Sequence, residues 1–299
     1  MSKFSISQFF LCVFFFAISL FCFAVAANDS NHIMSDDDKV KNSINSCNDS
    51  HTLLVFSEND YFNIREKDAN KKIFPASLVK IMTAYLTFEA VENKKLSLDQ
   101  ILKVSARGNF ISYVNKVTTL HLKIGDTITV KDALYGMIIK SLNGAAVTLS
   151  ESVAGSEWEF AKMMNNKSME LGMYNTNFRN ASGLHDSNQY TTAYDLKKLI
   201  ISVKNDFPDY YEIFGIKEIE IFDKKFKSHN DVLLTYPGAE GMKTGFTSIS
   251  GFNLISAAVR NDKRVFSILL SCESSNIRNK FTKDLLDGAF VKIDSRQYK

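Results

Sequence analysis

The hydrophobic pattern changes period three times along the chain. Residues 53–56 and 61–64 are short apolar and aromatic runs. Ser57-Glu58-Asn59-Asp60 lies between them, a turn sequence that predicts a β-hairpin. After Pro75, Leu78, Val79, Ile81, Met82, Tyr85, Leu86, Phe88 and Val91 cover most of the circumference of a helix. A helix that is apolar nearly all round is a buried one. From about residue 96 to 215 further helical stretches follow, over 130–140, 144–153, 157–171 and 193–203, divided by Gly and Asn. Strand-type runs return at 218–222, 251–259 and 264–270, and an amphipathic helix over about 276–286 closes the pattern. Strands at both ends with helices between predict an α/β (α+β) fold. One antiparallel sheet would be built from both chain ends, flanked by helices and carrying an inserted helical region.

The N-terminus follows different rules. Residues 9–27 are apolar except for Ser19, Lys3 is the single charge before Asp29, and the run ends in Ala24-Val25-Ala26. This is the layout of a secretory signal cleaved near Ala26, so residues 1–26 are read as a signal peptide. An uncleaved run of this length would instead serve as an inner-membrane anchor. Residues 27–50 are polar and acidic in the middle, which predicts a flexible leader. Export across the inner membrane, to the periplasm or cell envelope in the family that the later motifs resemble, is expected from the signal. Cys12 and Cys22 would leave with it, and Cys47 and Cys272 would remain. An oxidising compartment permits them to pair, but Cys47 lies in a polar tail, so the balance is against a disulfide.

Charge excludes some classes. The net charge of +3 is spread among both signs, with no dense basic patch, so a nucleic-acid partner is not expected. The five histidines are scattered and no Cys or His pair has zinc-ligand spacing, so neither a metal nor another cofactor is expected.

Candidate chemistry starts with a lysine in the wrong place. Lys80 lies inside the apolar run Pro75-Ala-Ser-Leu-Val-Lys-Ile-Met, three residues after Ser77 and on the same helix face. Apolar surroundings disfavour the ammonium, and a neutral lysine can take a proton from a serine hydroxyl. On this stretch alone a helix-capping serine and a lysine reaching for solvent would look the same. Two further stretches add weight. Ser141 and Asn143 stand in Lys-Ser-Leu-Asn-Gly, at a break between helical runs, where a hydroxyl and an amide can face one cleft. Lys243, Thr244 and Gly245 stand on a strand edge, offering a positive charge, a hydroxyl donor and a place where a substrate backbone can come close.

Ser-x-x-Lys, a Ser-x-Asn loop and Lys-Thr-Gly, in this order, recur in penicillin-binding proteins and class A β-lactamases. The chain resembles the low-molecular-mass penicillin-binding proteins, the serine-type D-alanyl-D-alanine carboxypeptidases, from about residue 53 to 290. The likeness also covers Asn-Ala-Ser-Gly-Leu at 180–184, Tyr-Thr-Thr-Ala-Tyr-Asp-Leu at 190–196 and the stretch before Lys243. It implies a β-lactamase/transpeptidase-like fold, with a catalytic domain over 51–299. It also implies removal of the terminal D-alanine from peptidoglycan stem pentapeptides, and inhibition by β-lactams.

Ser77 would then be the acylated nucleophile, Lys80 its base and Ser141 a proton relay. Asn143 would hold substrate and Lys80, while Lys243 and Thr244 would bind the substrate end. The N–H groups of Ser77 and Phe246 would form the oxyanion hole, and Arg278 would bind the terminal carboxylate. Two departures stand out: Gly144 where many members have Asp, and Phe246 where His is common. The β-rich domain and amphipathic C-terminal anchor of long members are also missing, so any membrane attachment is expected from the N-terminus. A D,D-endopeptidase would use the same residues, and a non-catalytic wall-binding protein could share the fold. A class A β-lactamase is disfavoured because no Glu-x-x-Leu-Asn element lies between Asn143 and Lys243.

Overall fold

The computed structural model describes residues 47, 50–58, 61–114 and 120–296. The signal-like run lies outside them, as does the leader apart from Cys47 and Ser50. The hairpin appears as β1 (Thr52–Ser57) and β2 (Asn63–Lys67), paired antiparallel. A 3₁₀ turn, Ala76–Val79, leads into α1 (Lys80–Glu92), which is buried over nearly its whole circumference, as its pattern requires. Next come β3 (Ile101–Lys103), α2 (Ala106–Val114), β4 (Thr127–Thr129), α3 (Val130–Ile139), α4 (Asn143–Ala154) and α5 (Glu157–Glu170). Then follow α6 (Ala193–Asp206), α7 (Pro208–Tyr211), β5 (Glu218–Ile221), β6 (Lys224–Lys227) and α8 (Asp231–Thr235). The chain closes with β7 (Ala239–Thr247), β8 (Gly251–Arg260), β9 (Lys263–Cys272) and α9 (Ser275–Arg296). Thr129, Ser156 and Thr192 each cap a helix N-terminus through the side-chain oxygen, at α3, α5 and α6.

The main sheet has the order β2-β1-β9-β8-β7 and its pairings are antiparallel, so both chain ends meet in it. Period-2 alternation sorts its side chains onto two covered faces. Leu54, Phe56, Ile255, Phe266 and Ile268 join the helical middle in one core. Leu53, Val55, Leu254, Val265 and Leu269 meet Phe281, Leu285, Leu286 and Phe290 of α9 in the other. Two small ribbons, β3-β4 and β5-β6, also form in the middle of the chain. β5 is the strand-type run expected at 218–222; β3, β4 and β6, at three or four residues, are too short for periodicity to separate them from loops.

One expectation is overturned. Cys47 and Cys272 are bonded, with their Cα atoms 5.3 Å apart. Cys272 ends β9, and Cys47 is buried against α9 together with it, in contacts that the polar composition around Cys47 does not reveal. Among the described residues no helix is long and apolar enough to cross a membrane.

Candidate active site

The site forms where the 3₁₀ turn, the start of α4, the 180–184 loop and β7 converge. Ser77 lies in the turn and Lys80 starts α1. Lys80 has no exposed surface. Its Nζ lies 3.0 Å from Ser77 Oγ and 2.8 Å from Asn143 Oδ1. It also donates to the main-chain oxygen of Ser182. Two of these three partners can only accept. A neutral amine has two N–H groups for them and leaves its lone pair for the Ser77 hydroxyl. Burial, and then the charge of Lys243, push the Lys80 pKa well below the usual lysine range.

Backbone geometry fixes this arrangement. Ala76, just before Ser77, is held left-handed at φ 49°, which is unusual for a residue with a Cβ and is stable only where the surroundings dictate it. Those surroundings come very close. A Cβ on Gly183, whose φ is +83°, would lie 2.0 Å from the Ala76 oxygen. Asn180 shapes that loop: its Oδ1 accepts from the Gly183 N–H at 2.7 Å and its Nδ2 donates to the Leu184 oxygen at 2.9 Å. On the other side a Cβ on Gly245 would stand 3.1 Å from the Pro75 oxygen and 3.2 Å from the Ser77 nitrogen. Gly245 thus lets the backbone of the serine turn itself come close.

The remaining motif residues are arranged around this centre. Ser141 and Asn143 occupy the break between α3 and α4, with Ser141 left-handed at φ 60° and Asn143 buried as the first residue of α4. Lys243 and Thr244 lie on β7, and Lys243 is buried. Lys243 Nζ donates to the main-chain oxygen of Thr244 at 3.2 Å. Burial and the nearby Arg278 bring its pKa down to about 7. The Phe246 ring is exposed and stacks on Phe252, with centroids 4.2 Å apart.

Arg278 is not a solvent-facing helix arginine. It is buried, donates through Nη1 to the Asn253 oxygen at 3.2 Å, and reaches Asn279 Oδ1 through Nε and Nη2. Burial lowers its pKa to about 10, with Asp231 opposing the shift. Lys80, Lys243 and Arg278 are thus three buried basic groups, of which Arg278 keeps its charge at neutral pH and Lys243 is charged below about 7, a setting that favours an anionic guest.

Gly144 has a structural cause. A Cβ there would lie 1.9 Å from Ser112 Oγ and 2.8 Å from the Gly108 oxygen, so α2 packs where an Asp side chain would need room. Beside the site a groove of about 690 Å³ runs between Phe110, Ile111 and Val114 of α2 and Ser182, Leu184 and Phe246. The Ser182 carbonyl could not be read as a Lys80 partner from sequence, because a main-chain oxygen carries no residue signature.

The model of the peptidase family described as D-alanyl-D-alanine carboxypeptidase matches residues 47–274. The chain belongs to this family. Among curated members it is 32% identical to the D-alanyl-D-alanine carboxypeptidase DacF of Bacillus subtilis, over 77% of this chain and 59% of that protein. It is 34% identical to DacC of Escherichia coli, over 76% of this chain and 58% of that protein. The chain therefore spans little more than half the length of these relatives. A solved member, penicillin-binding protein D2 from Listeria monocytogenes in its ampicillin-bound form, is 33% identical with a TM-score of 0.72. That match covers 82% of this chain and 97% of the other. The same protein also matches in its cefotaxime-bound form. These likenesses extend the family's β-lactamase-like fold, a mixed α/β architecture, to this chain.

Proposed function

We propose that the chain is a serine-type D-Ala-D-Ala carboxypeptidase that trims peptidoglycan stem pentapeptides and is acylated by penicillins. The observation that carries this reading is the set of partners around Lys80 Nζ: two pure acceptors and the Ser77 hydroxyl. Lys80 takes the Ser77 proton as Oγ attacks the carbonyl of the scissile D-Ala–D-Ala bond. The N–H groups of Ser77 and Phe246 stabilise the developing oxyanion. Ser141 passes a proton to the leaving amine, free D-alanine departs, and water then hydrolyses the Ser77 ester. Lys243, Thr244 and Arg278 hold the terminal carboxylate, which supplies the negative charge that the buried basic groups lack. Penicillin carries a carboxylate and a reactive amide in similar positions and stops at the acyl-enzyme. The cell envelope is the proposed location, and the Cys47–Cys272 bond fits an oxidising compartment.

Intact-mass measurement of the chain and of Ser77→Ala after incubation with penicillin tests the nucleophile. An adduct in the first and none in the second is expected; an adduct that survives Ser77→Ala would refute the assignment. A pentapeptide and a crosslinked muropeptide then separate the activities. Free D-alanine marks a carboxypeptidase, and separated peptides mark an endopeptidase. A folded chain that acylates with nothing would be a binding protein.

A further inference from the structure

Asn253 is a polar residue with no exposed surface, set in the otherwise apolar run Phe252, Leu254, Ile255 of β8. Each part of its side-chain amide is engaged. Nδ2 donates to the main-chain oxygens of Phe74 and Pro75, at 3.2 and 3.3 Å. Oδ1 accepts from the Ser271 N–H of β9 at 2.8 Å. Its own main-chain oxygen accepts from Arg278, and in the β7-β8 ladder it stands opposite Gly245. One residue therefore touches the strand of the Lys-Thr-Gly motif, the neighbouring strand, the carboxylate arginine and the turn that carries Ser77.

The two carbonyls it holds come immediately before the left-handed Ala76. Such a conformation is unfavourable for a residue with a Cβ, and it persists only when neighbouring groups leave no alternative. An asparagine amide has two donors and an acceptor, which suits two carbonyls on one side and an N–H on the other.

We propose that Asn253 is a positioning residue for acylation: its amide fixes the Phe74 and Pro75 carbonyls and so aims the Ser77 hydroxyl and N–H. The inference rests on Ser77 being the nucleophile. Asn253 itself touches no reacting atom. Because its main-chain oxygen also holds Arg278, the grip on the carboxylate and the aim of the serine share one support.

The test follows benzylpenicillin acylation by intact mass, over a range of concentrations, for the full chain, Asn253→Asp and Asn253→Ser. Folding is checked by near-UV circular dichroism. In Asn253→Asp the maximal acylation rate is expected to fall roughly 10- to 100-fold, while the half-saturating concentration barely moves. The ratio of variant to wild-type rate should rise as pH falls, because a protonated carboxyl can again donate one hydrogen bond. Asn253→Ser should lose rate without that recovery, and it carries the test if the Asp variant does not fold. Undiminished rates in a folded variant, a loss confined to half-saturation, or failure of both variants to fold would overturn the inference. If the wild type acylates and the variants keep pace, this inference alone fails; an unreactive wild type removes the nucleophile reading and the inference together.

Discussion

In the proposed mechanism Lys80 owes its role as base to what surrounds it. Full burial and the charge of Lys243 disfavour its ammonium form, and Asn143 and Ser182 take up its N–H groups. Lys80→Ala is expected to stay folded, at a cost of about 1–3 kcal/mol for acceptors left without a donor. Penicillin acylation should fall by roughly 10²–10⁴; near-normal acylation would rule out Lys80 as the base. Lys243, in its proposed role, should make binding depend on pH. Its pKa of about 7 leaves it charged and attractive to a carboxylate below that pH, and neutral above it. Arg278, near 10, stays charged throughout this range. The half-saturating penicillin concentration should therefore rise as pH increases through about 7, and Lys243→Arg should flatten that rise. A pH-independent value in the wild type would refute the role given to Lys243. Ser77, Lys80, Asn143 and Lys243 were legible in the sequence because their types and spacing carry chemistry. The Ser182 carbonyl was not, and Asn253 left only the faint mark of one amide in an apolar strand.

At the scale of elements, the placement of Ser77, the proposed nucleophile, depends on close backbone contacts more than on helix propensity. The 180–184 loop presses against the Ala76 carbonyl only because Gly183 has no Cβ and accepts a positive φ. Gly183→Ala should push that loop away, drag the Ser182 oxygen from Lys80 and lower acylation on the order of 10²-fold. Wild-type kinetics in that variant would show that the contact is dispensable. Gly144→Asp restores the residue common in the family, yet in this chain it would collide with Ser112 and the Gly108 backbone. It is expected to destabilise the fold by about 1–3 kcal/mol, read from urea unfolding, and an unchanged midpoint would refute that packing argument. The buried helix α1, the hairpin and the break at Ser141 were readable from local pattern. So was β5, within the run read at 218–222, whereas β3, β4 and β6 were not, because those strands are too short to show a period.

Across the whole molecule, the sheet joins the two chain ends, and the Cys47–Cys272 bond closes a loop with a sequence separation of 225. A cross-link over so long a loop restricts the unfolded chain. Cys47→Ser is expected to cost on the order of 2–5 kcal/mol, measured by denaturant unfolding without reductant. Equal stability of the variant and the wild type would show that the bond contributes nothing. Hydrophobic period, turn residues and motif spacing already indicated the main order of elements, the sheet built from both ends and the side chains proposed to react, because each is encoded within a few neighbouring residues. Packing in three dimensions decided the rest: the disulfide, the buried setting of Arg278, the role of Gly245 and the support from Asn253. These depend on groups such as Lys80 and Ser182, 102 residues apart, or Asn253 and Pro75, 178 apart. No local pattern specifies a distance across such a gap, and only the packed core brings those groups within hydrogen-bonding reach.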